Sequence, residues 1–268
     1  MNNIVIIGAG KEGKAYLGEV YDAAKWNVTF LDKDSRVIEA LKEKGEYHVT
    51  VLRKDRTEQR IITGYEAYET DDSYSCMARI VDADVIALCL YPEDIEDAIR
   101  YIGPCLRKRE MDNPEQNLLI LSCTNKNHIM EKNEALFLGE LPEEKQKTWY
   151  REQVAFRDVI VRRSGNAPSN YALDLTTKAL QSLLIQGPVN VDLSGVEWMQ
   201  VCDGVEFLKD IKLFVHNCPH AACAYMGYAK GYTTTQDAEC DGEIAALMKG
   251  CLAEASEGIR EEFHPTSE

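Results

Sequence analysis

Two stretches of this 268-residue chain set reactive side chains at spacings that chemistry can use. The first is Gly8-Ala9-Gly10-Lys11-Glu12-Gly13, which fits GxGxxG and directly follows the short apolar run Ile4 to Ile7. Glycines there let the backbone turn tightly and approach a pyrophosphate, and the helix opening behind them offers N–H groups at its positive end. Asp32 closes a second apolar run, Val28 to Leu31, at the place where an acid accepts hydrogen bonds from an adenosine ribose. A carboxylate there repels a 2′-phosphate, which favours NAD over NADP. Gly8, Ala9, Gly10, Lys11, Gly13 and Asp32 are therefore the candidate cofactor-binding residues. The competing reading is a glycine-rich turn without a ligand; strand, helix and acid in register argue against it.

The second stretch is Lys212-x4-Asn217-x2-His220. On an ideal helix Asn217 lies about 140° and His220 about 80° from Lys212, so the three share one broad face. Pro219 between them must kink that helix or open a new one. A lysine desolvated in a cleft can take a hydroxyl proton, an asparagine amide can donate to a developing alkoxide, and a histidine can hold substrate or orient the lysine. The plain alternative is a solvated lysine, an asparagine near a helix end and a half-buried histidine. His216 and His220 also have the i, i+4 spacing of two metal ligands, but Pro219 separates them and no downstream Cys/His pair completes a site, so no metal is expected.

Positioning these groups requires strands and helices in alternation. Beyond the first strand–loop–helix unit the pattern predicts strands near 47–52, 85–90 and 118–122 and helices near 94–102 and 126–138, with strand-like pieces at 159–161 and 183–185. Such alternation implies an open, mostly parallel sheet covered by helices on both faces. From about residue 203 the apolar spacing becomes helical throughout. Gln186-Gly187-Pro188 and Leu193-Ser194-Gly195 read as linker, which puts a dinucleotide-binding domain at 1–190 and a helical substrate domain at 191–268.

Composition narrows the class. With 45% hydrophobic and 28% charged residues the chain is an ordinary globular one. Its 30 basic against 45 acidic residues leave −15, which argues against nucleic acid as a partner. No apolar run is long enough for a membrane span, and the N-terminus lacks the features of a signal peptide. Nine scattered cysteines without a CxxC pair suit reduced thiols in the cytoplasm.

The opening NIVIIGAGKEGKAYLGEV, the segment Ile120–Lys126 (ILSCTNK) and KLFVHNCPHAACAYMGYAKGY at 212–232 together resemble the polyol-specific long-chain dehydrogenases, most closely their mannitol-1-phosphate 5-dehydrogenase branch. The resemblance implies an N-terminal Rossmann-type sheet followed by an all-α domain, here shortened relative to the family. It further implies metal-independent, NAD-linked interconversion of a sugar-alcohol phosphate and a ketose phosphate, such as mannitol 1-phosphate and fructose 6-phosphate. By resemblance Lys212 is the general acid–base, Asn217 and Asn125 polarise the reacting oxygen, and His220 binds substrate and positions the lysine. Lys11 replaces a usual asparagine, and Arg162-Arg163 replaces an Asp-Arg pair; Arg162 or Arg163 is then either a contact for an anionic substrate group or a strand-end charge facing solvent. The alternatives are a non-catalytic NAD-binding sensor or interaction module from the same family, or an oxidoreductase for a hexuronate or hydroxy acid. An apolar face on the Ile244–Ile259 stretch suggests a homo-oligomer formed through the C-terminal helix.

Overall fold

The structure, a computed structural model, describes residues 2–163, 165–179 and 182–263. The chain forms two compact units that divide between Asp203 and Gly204. In the first unit the strands are β1 (Asn3–Ile7), β2 (Asn27–Asp32), β3 (Glu46–Leu52), β4 (Thr57–Thr63), β5 (Glu66–Glu69), β6 (Val85–Leu88), β7 (Leu118–Ser122), β8 (Val154–Ile160), β9 (Gly165–Asn166), β10 (Asp174–Lys178), β11 (Leu183–Gln186) and β12 (Met199–Cys202). The main sheet runs β12-β11-β8-β7-β6-β1-β2-β5. From β5 to β8 every neighbouring pair is parallel. Those six strands have the spatial order 3-2-1-4-5-6 of a doubly wound, Rossmann-type sheet. β11 then runs antiparallel to β8, and β12 parallel to β11.

The apolar run of β1 has a direct cause. Ile4 and Ile6 enter the core on one face of the sheet, Val5 and Ile7 the core on the other, so no position is left for a polar residue. β6 and β7 are covered in the same way, and all nine of their residues are buried. The helix Ile95–Asp112 covers one face with Ile95, Ile99, Ile102 and Leu106 and continues through Pro104, past the end expected near Ile102.

Two expectations are corrected here. Residues 47–52 form a strand but lie outside the main sheet: β3 belongs to a second, four-stranded sheet of order β4-β3-β10-β9. Its Tyr47, Val49 and Val51 are buried while Glu46 and His48 are exposed, the period-two burial of a strand with one wet face. The outer strand of the parallel series is β5 instead, a four-residue piece whose EAYE sequence hides its role. The boundary near residue 190 also moves. Leu193 and Val196 are buried in the core of the first unit, and 199–202 pair with β11, so the Gly/Pro/Ser-rich stretch is a connection between two paired strands.

The second sheet packs on the helix that follows the glycine loop. The Tyr47 hydroxyl donates to the Lys14 carbonyl at 3.0 Å, and its ring meets Phe30 and Tyr65 edge-on or tilted. Beside it, Arg163 and Glu19 form a buried ion pair at 2.5 Å; Arg163 also donates to Thr177 Oγ1 at 2.9 Å and lies over the Tyr16 ring. The second unit is helical among its described residues. One continuous helix spans Val205–Asp210, Ile211–Asn217 and Cys218–Ala229, followed by Thr235–Ala238 and Gly242–Phe263. No helix of the described residues is long and apolar enough to cross a membrane.

Replacing Arg163 by Met strands a buried carboxylate, since the remaining cation near Glu19 among the described residues is the half-exposed Arg60 at 3.8 Å. The expected loss is about 3 kcal/mol in urea unfolding. The double variant Glu19→Leu/Arg163→Met should recover most of it; a single-variant loss below about 1 kcal/mol would contradict this role.

Candidate functional site

The winding of the main sheet reverses between β1 and β6, and a doubly wound sheet opens a crevice at the carboxyl ends of such a strand pair. Two adjoining cavities lie there. The larger, about 480 Å³, is lined by residues including Gly8, Asp32, Asp71, Ala98 and Tyr101. The smaller, about 300 Å³, is lined by residues including Lys11, Gly13, Cys123, Thr124 and Asn125. Both are bounded by Gly10, Cys89, Leu90, Tyr91 and Asn170.

The three glycines of the loop do different things. Gly8 has φ +96°, and a Cβ on it would lie 2.2 Å from the Cys89 carbonyl oxygen. A Cβ on Gly13 would meet the Gly8 carbonyl oxygen at 2.2 Å, so this glycine seats the helix against the turn. Gly10 is different: the nearest atom to its Cβ position is Asn170 Oδ1 at 3.9 Å, and its open side faces the cavities. Packing needs the first and third glycines; an approaching ligand needs the second.

Asp32 reaches the loop itself. Its Oδ2 accepts the Ala9 N–H at 2.7 Å and its Oδ1 accepts the Asp34 N–H at 2.9 Å. Ala9 is buried, so it serves the site through its peptide groups and not through its side chain. Each Asp32 oxygen keeps a lone pair for a hydroxyl donor. Around the larger cavity stand Asp32, Asp34, Asp71, Asp72, Asp94 and Asp97. Lys33 is paired with Asp94 at 2.5 Å and Arg36 with Asp34 at 2.7 Å. This wall suits ribose hydroxyls and opposes an added phosphate.

Lys14, which supports the glycine loop from inside, was missed by sequence reasoning. It is fully buried, and its ammonium donates to the Ala9 carbonyl at 2.7 Å and to the Asn170 carbonyl. Burial lowers its pKa to about 8, while the Asp32 carboxylate pulls in the opposite direction. A lysine directly after the third glycine was the available signal, but nothing in its spacing reveals burial. Asn170, on the segment between β9 and β10, was also missed, because that stretch has no periodicity to read.

Asn125 is exposed just beyond β7 and lines the smaller cavity with Gly10, Lys11 and Gly13, so the fold does bring it to the glycine loop. Lys212, Asn217 and His220 lie together on one helix of the second unit, Lys212 half-buried and the other two exposed. Pro219 neither breaks nor restarts that helix. The preceding Ile211–Asn217 stretch is π-helical, and the Cys218 N–H reaches the Leu213 carbonyl five residues back. The wider turn gives a proline ring room that an α-turn lacks. Lys212 and Asn217 are five apart, one i→i+5 turn, so they stand closer to one line than the α-helical projection gives. Arg163 is spent in its buried ion pair and is withdrawn as a substrate contact; Arg162 is exposed beyond β8. Among the described residues no group of three or more histidine, cysteine or acidic side chains is placed to hold a metal ion.

Residues 2–176 match the family model described as the mannitol dehydrogenase Rossmann domain. Among solved structures the chain resembles Pseudomonas fluorescens mannitol 2-dehydrogenase, a ternary complex with NAD and D-mannitol, at 17% identity and TM-score 0.76, over 93% of this chain and 62% of that one. It also resembles a D-sorbitol dehydrogenase at 15% identity and TM-score 0.73, over 96% of this chain and 69% of that one. A ketopantoate reductase of the PanE/ApbA family from Ralstonia eutropha follows at 16% identity and TM-score 0.62, over 97% and 74%. At these identities the likeness establishes the fold.

The Lys14 environment has a measurable consequence. Between about pH 8 and pH 10.5 the unfolded chain holds a proton that the folded chain has released, so stability rises with pH across that window. Relative to Lys14→Met, the wild type should gain up to about 3 kcal/mol as pH climbs from 7 to 10.5. A stability difference that stays flat over this range in urea titrations would contradict a desolvated amine.

Proposed function

The chain belongs to the mannitol dehydrogenase family, and on that premise we propose that it is an NAD-dependent oxidoreductase interconverting a sugar alcohol and a ketose, with a phosphorylated pair of the mannitol 1-phosphate and fructose 6-phosphate type as its substrates. The observation that carries the reading is the paired cavity at the switch point, with Asp32 at one end, Gly10 at its middle and Asn125 at the other. The residues present fit a dinucleotide. Gly10, Lys11 and Gly13 would hold the pyrophosphate, and Asp32 the adenosine ribose. When bound, NAD supplies a nicotinamide ring that accepts the substrate's hydride.

The chain's own residues supply proton handling and orientation. Lys212, as the neutral amine, takes the proton of the reacting hydroxyl and returns it in the reverse direction. The side-chain amides of Asn125 and Asn217 donate to the same oxygen as it gains negative charge. His220 holds substrate and orients the amine. Arg162, exposed at the carboxyl edge of the sheet, is the candidate partner for a substrate phosphate. Scattered cysteines, odd in number, support a reducing, cytoplasmic setting. The homo-oligomer expected through the C-terminal Gly242–Phe263 helix would bury its exposed Leu247 and Leu252.

A second reading, a non-catalytic NAD-binding module, is favoured by the exposure of Asn217 and His220. A spectrophotometric screen of phosphorylated and free ketoses with NADH separates the two. The expected result is NADH oxidation with fructose 6-phosphate, lowered roughly 10²- to 10⁴-fold in kcat by Lys212→Ala. NADH binding without turnover on any ketose would leave only the module. Arg162→Ala should raise KM for the phosphorylated sugar and not for the free one; an unchanged ratio would remove the phosphate contact.

A further inference from the structure

Gly165 and Asn170, between β8 and β10, line the cleft outside the nucleotide motif, and the described residues around them are tied to the first strand–loop–helix unit and its neighbours at four points. Arg163 grips Glu19. Gly165 sits so close that a Cβ there would be 2.4 Å from the Lys11 carbonyl oxygen and 2.9 Å from Ala15 Cβ. The Lys14 ammonium donates to the Asn170 carbonyl while also holding Ala9. The Arg36 guanidinium lies 5.6 Å from the centre of the Tyr171 ring. So many anchors on a short segment fix the backbone of Asn170, although its side chain is exposed.

That side chain stands at a particular place. It lines both cavities, and its Oδ1 is the nearest atom to the open side of Gly10. A ligand extending from the Asp32 end to the Asn125 end must pass between Gly10 and Asn170. If that ligand is the dinucleotide of the functional reading, its pyrophosphate is the part that crosses there, since Gly10 is the glycine left open for it. A carboxamide offers two N–H donors and no charge, and it can turn over to present them. We propose that Asn170 is a further dinucleotide-binding residue, donating its amide N–H to the pyrophosphate, and that Lys14 is the positioning residue that holds it over the loop.

The inference rests on the NAD reading, and the test keeps the two apart. NADH binding is titrated calorimetrically on the full chain as wild type, Asn170→Ala, Asn170→Asp, Lys14→Met and Lys14→Met/Asn170→Ala, and adenosine binding is followed by saturation-transfer NMR. Loss of one hydrogen bond to a charged group should weaken NADH roughly tenfold in Asn170→Ala. Asn170→Asp, which sets a carboxylate against phosphate, should weaken it further, and adenosine affinity should stay unchanged in both. Lys14→Met should weaken NADH as well, with little added loss in the double variant, because both changes remove one contact. Asn170 variants that bind NADH like the wild type overturn the proposal, as do variants that lose NADH and adenosine equally. The Asn170 variants alone decide the ligand role if Lys14→Met fails to fold. A wild-type chain that binds no NADH overturns the cofactor reading and the inference with it.

Discussion

The Asp32 carboxylate accepts the Ala9 N–H on one oxygen and the Asp34 N–H on the other, so the turn after β1 and the start of the helix Ser35–Lys44 both hang on the last residue of β2. The Ala9 carbonyl is held from the opposite side by the buried Lys14 ammonium. One residue of the loop is thus clamped at both of its peptide groups by opposite charges. Charge-assisted bonds of this kind are stronger than neutral ones, and they leave Gly10 as the place where the loop presents open backbone. The same ammonium reaches the Asn170 carbonyl, which extends the clamp to the segment that faces the loop across the cleft.

Electrostatics and helix geometry then divide the labour. The acid-lined cavity near Asp32 matches hydroxyl donors, whereas the cavity near Lys11 and Asn125 has amide and ammonium groups to offer. Both units place a π-helical stretch at candidate residues: Gly13–Gly18 behind the loop and Ile211–Asn217 around Lys212. Such stretches are energetically poorer than α-helix and collect at functional sites. In the second of them a structural cause is visible, since Pro219 follows at once.

Much of this was legible in the amino acids. Four consecutive aliphatic residues before GxGxxG, and an acid at the end of the next strand, are dictated by a strand buried on both faces and by a turn that must approach a ligand. The outer strand of the parallel series was not legible, because β5 is four residues long and mostly polar. β3 misled for the opposite reason: its apolar residues are real core, but of a second sheet, and periodicity reports burial without naming the neighbour. At the site, Lys14 and Asn170 were invisible since their roles depend on contacts 156 residues apart in the chain. Arg163 reads from sequence as a candidate contact for a substrate anion because Glu19, the buried partner that occupies it, lies 144 residues away in the chain.

A glycine turn anchored on the Asp32 carboxylate should favour a dinucleotide without a 2′-phosphate. Parallel calorimetric titrations of the wild-type chain with NADH and NADPH measure that preference. Saturable binding of NADH, with NADPH at least roughly tenfold weaker, is the predicted result. Equal affinities, or a preference for NADPH, would contradict it.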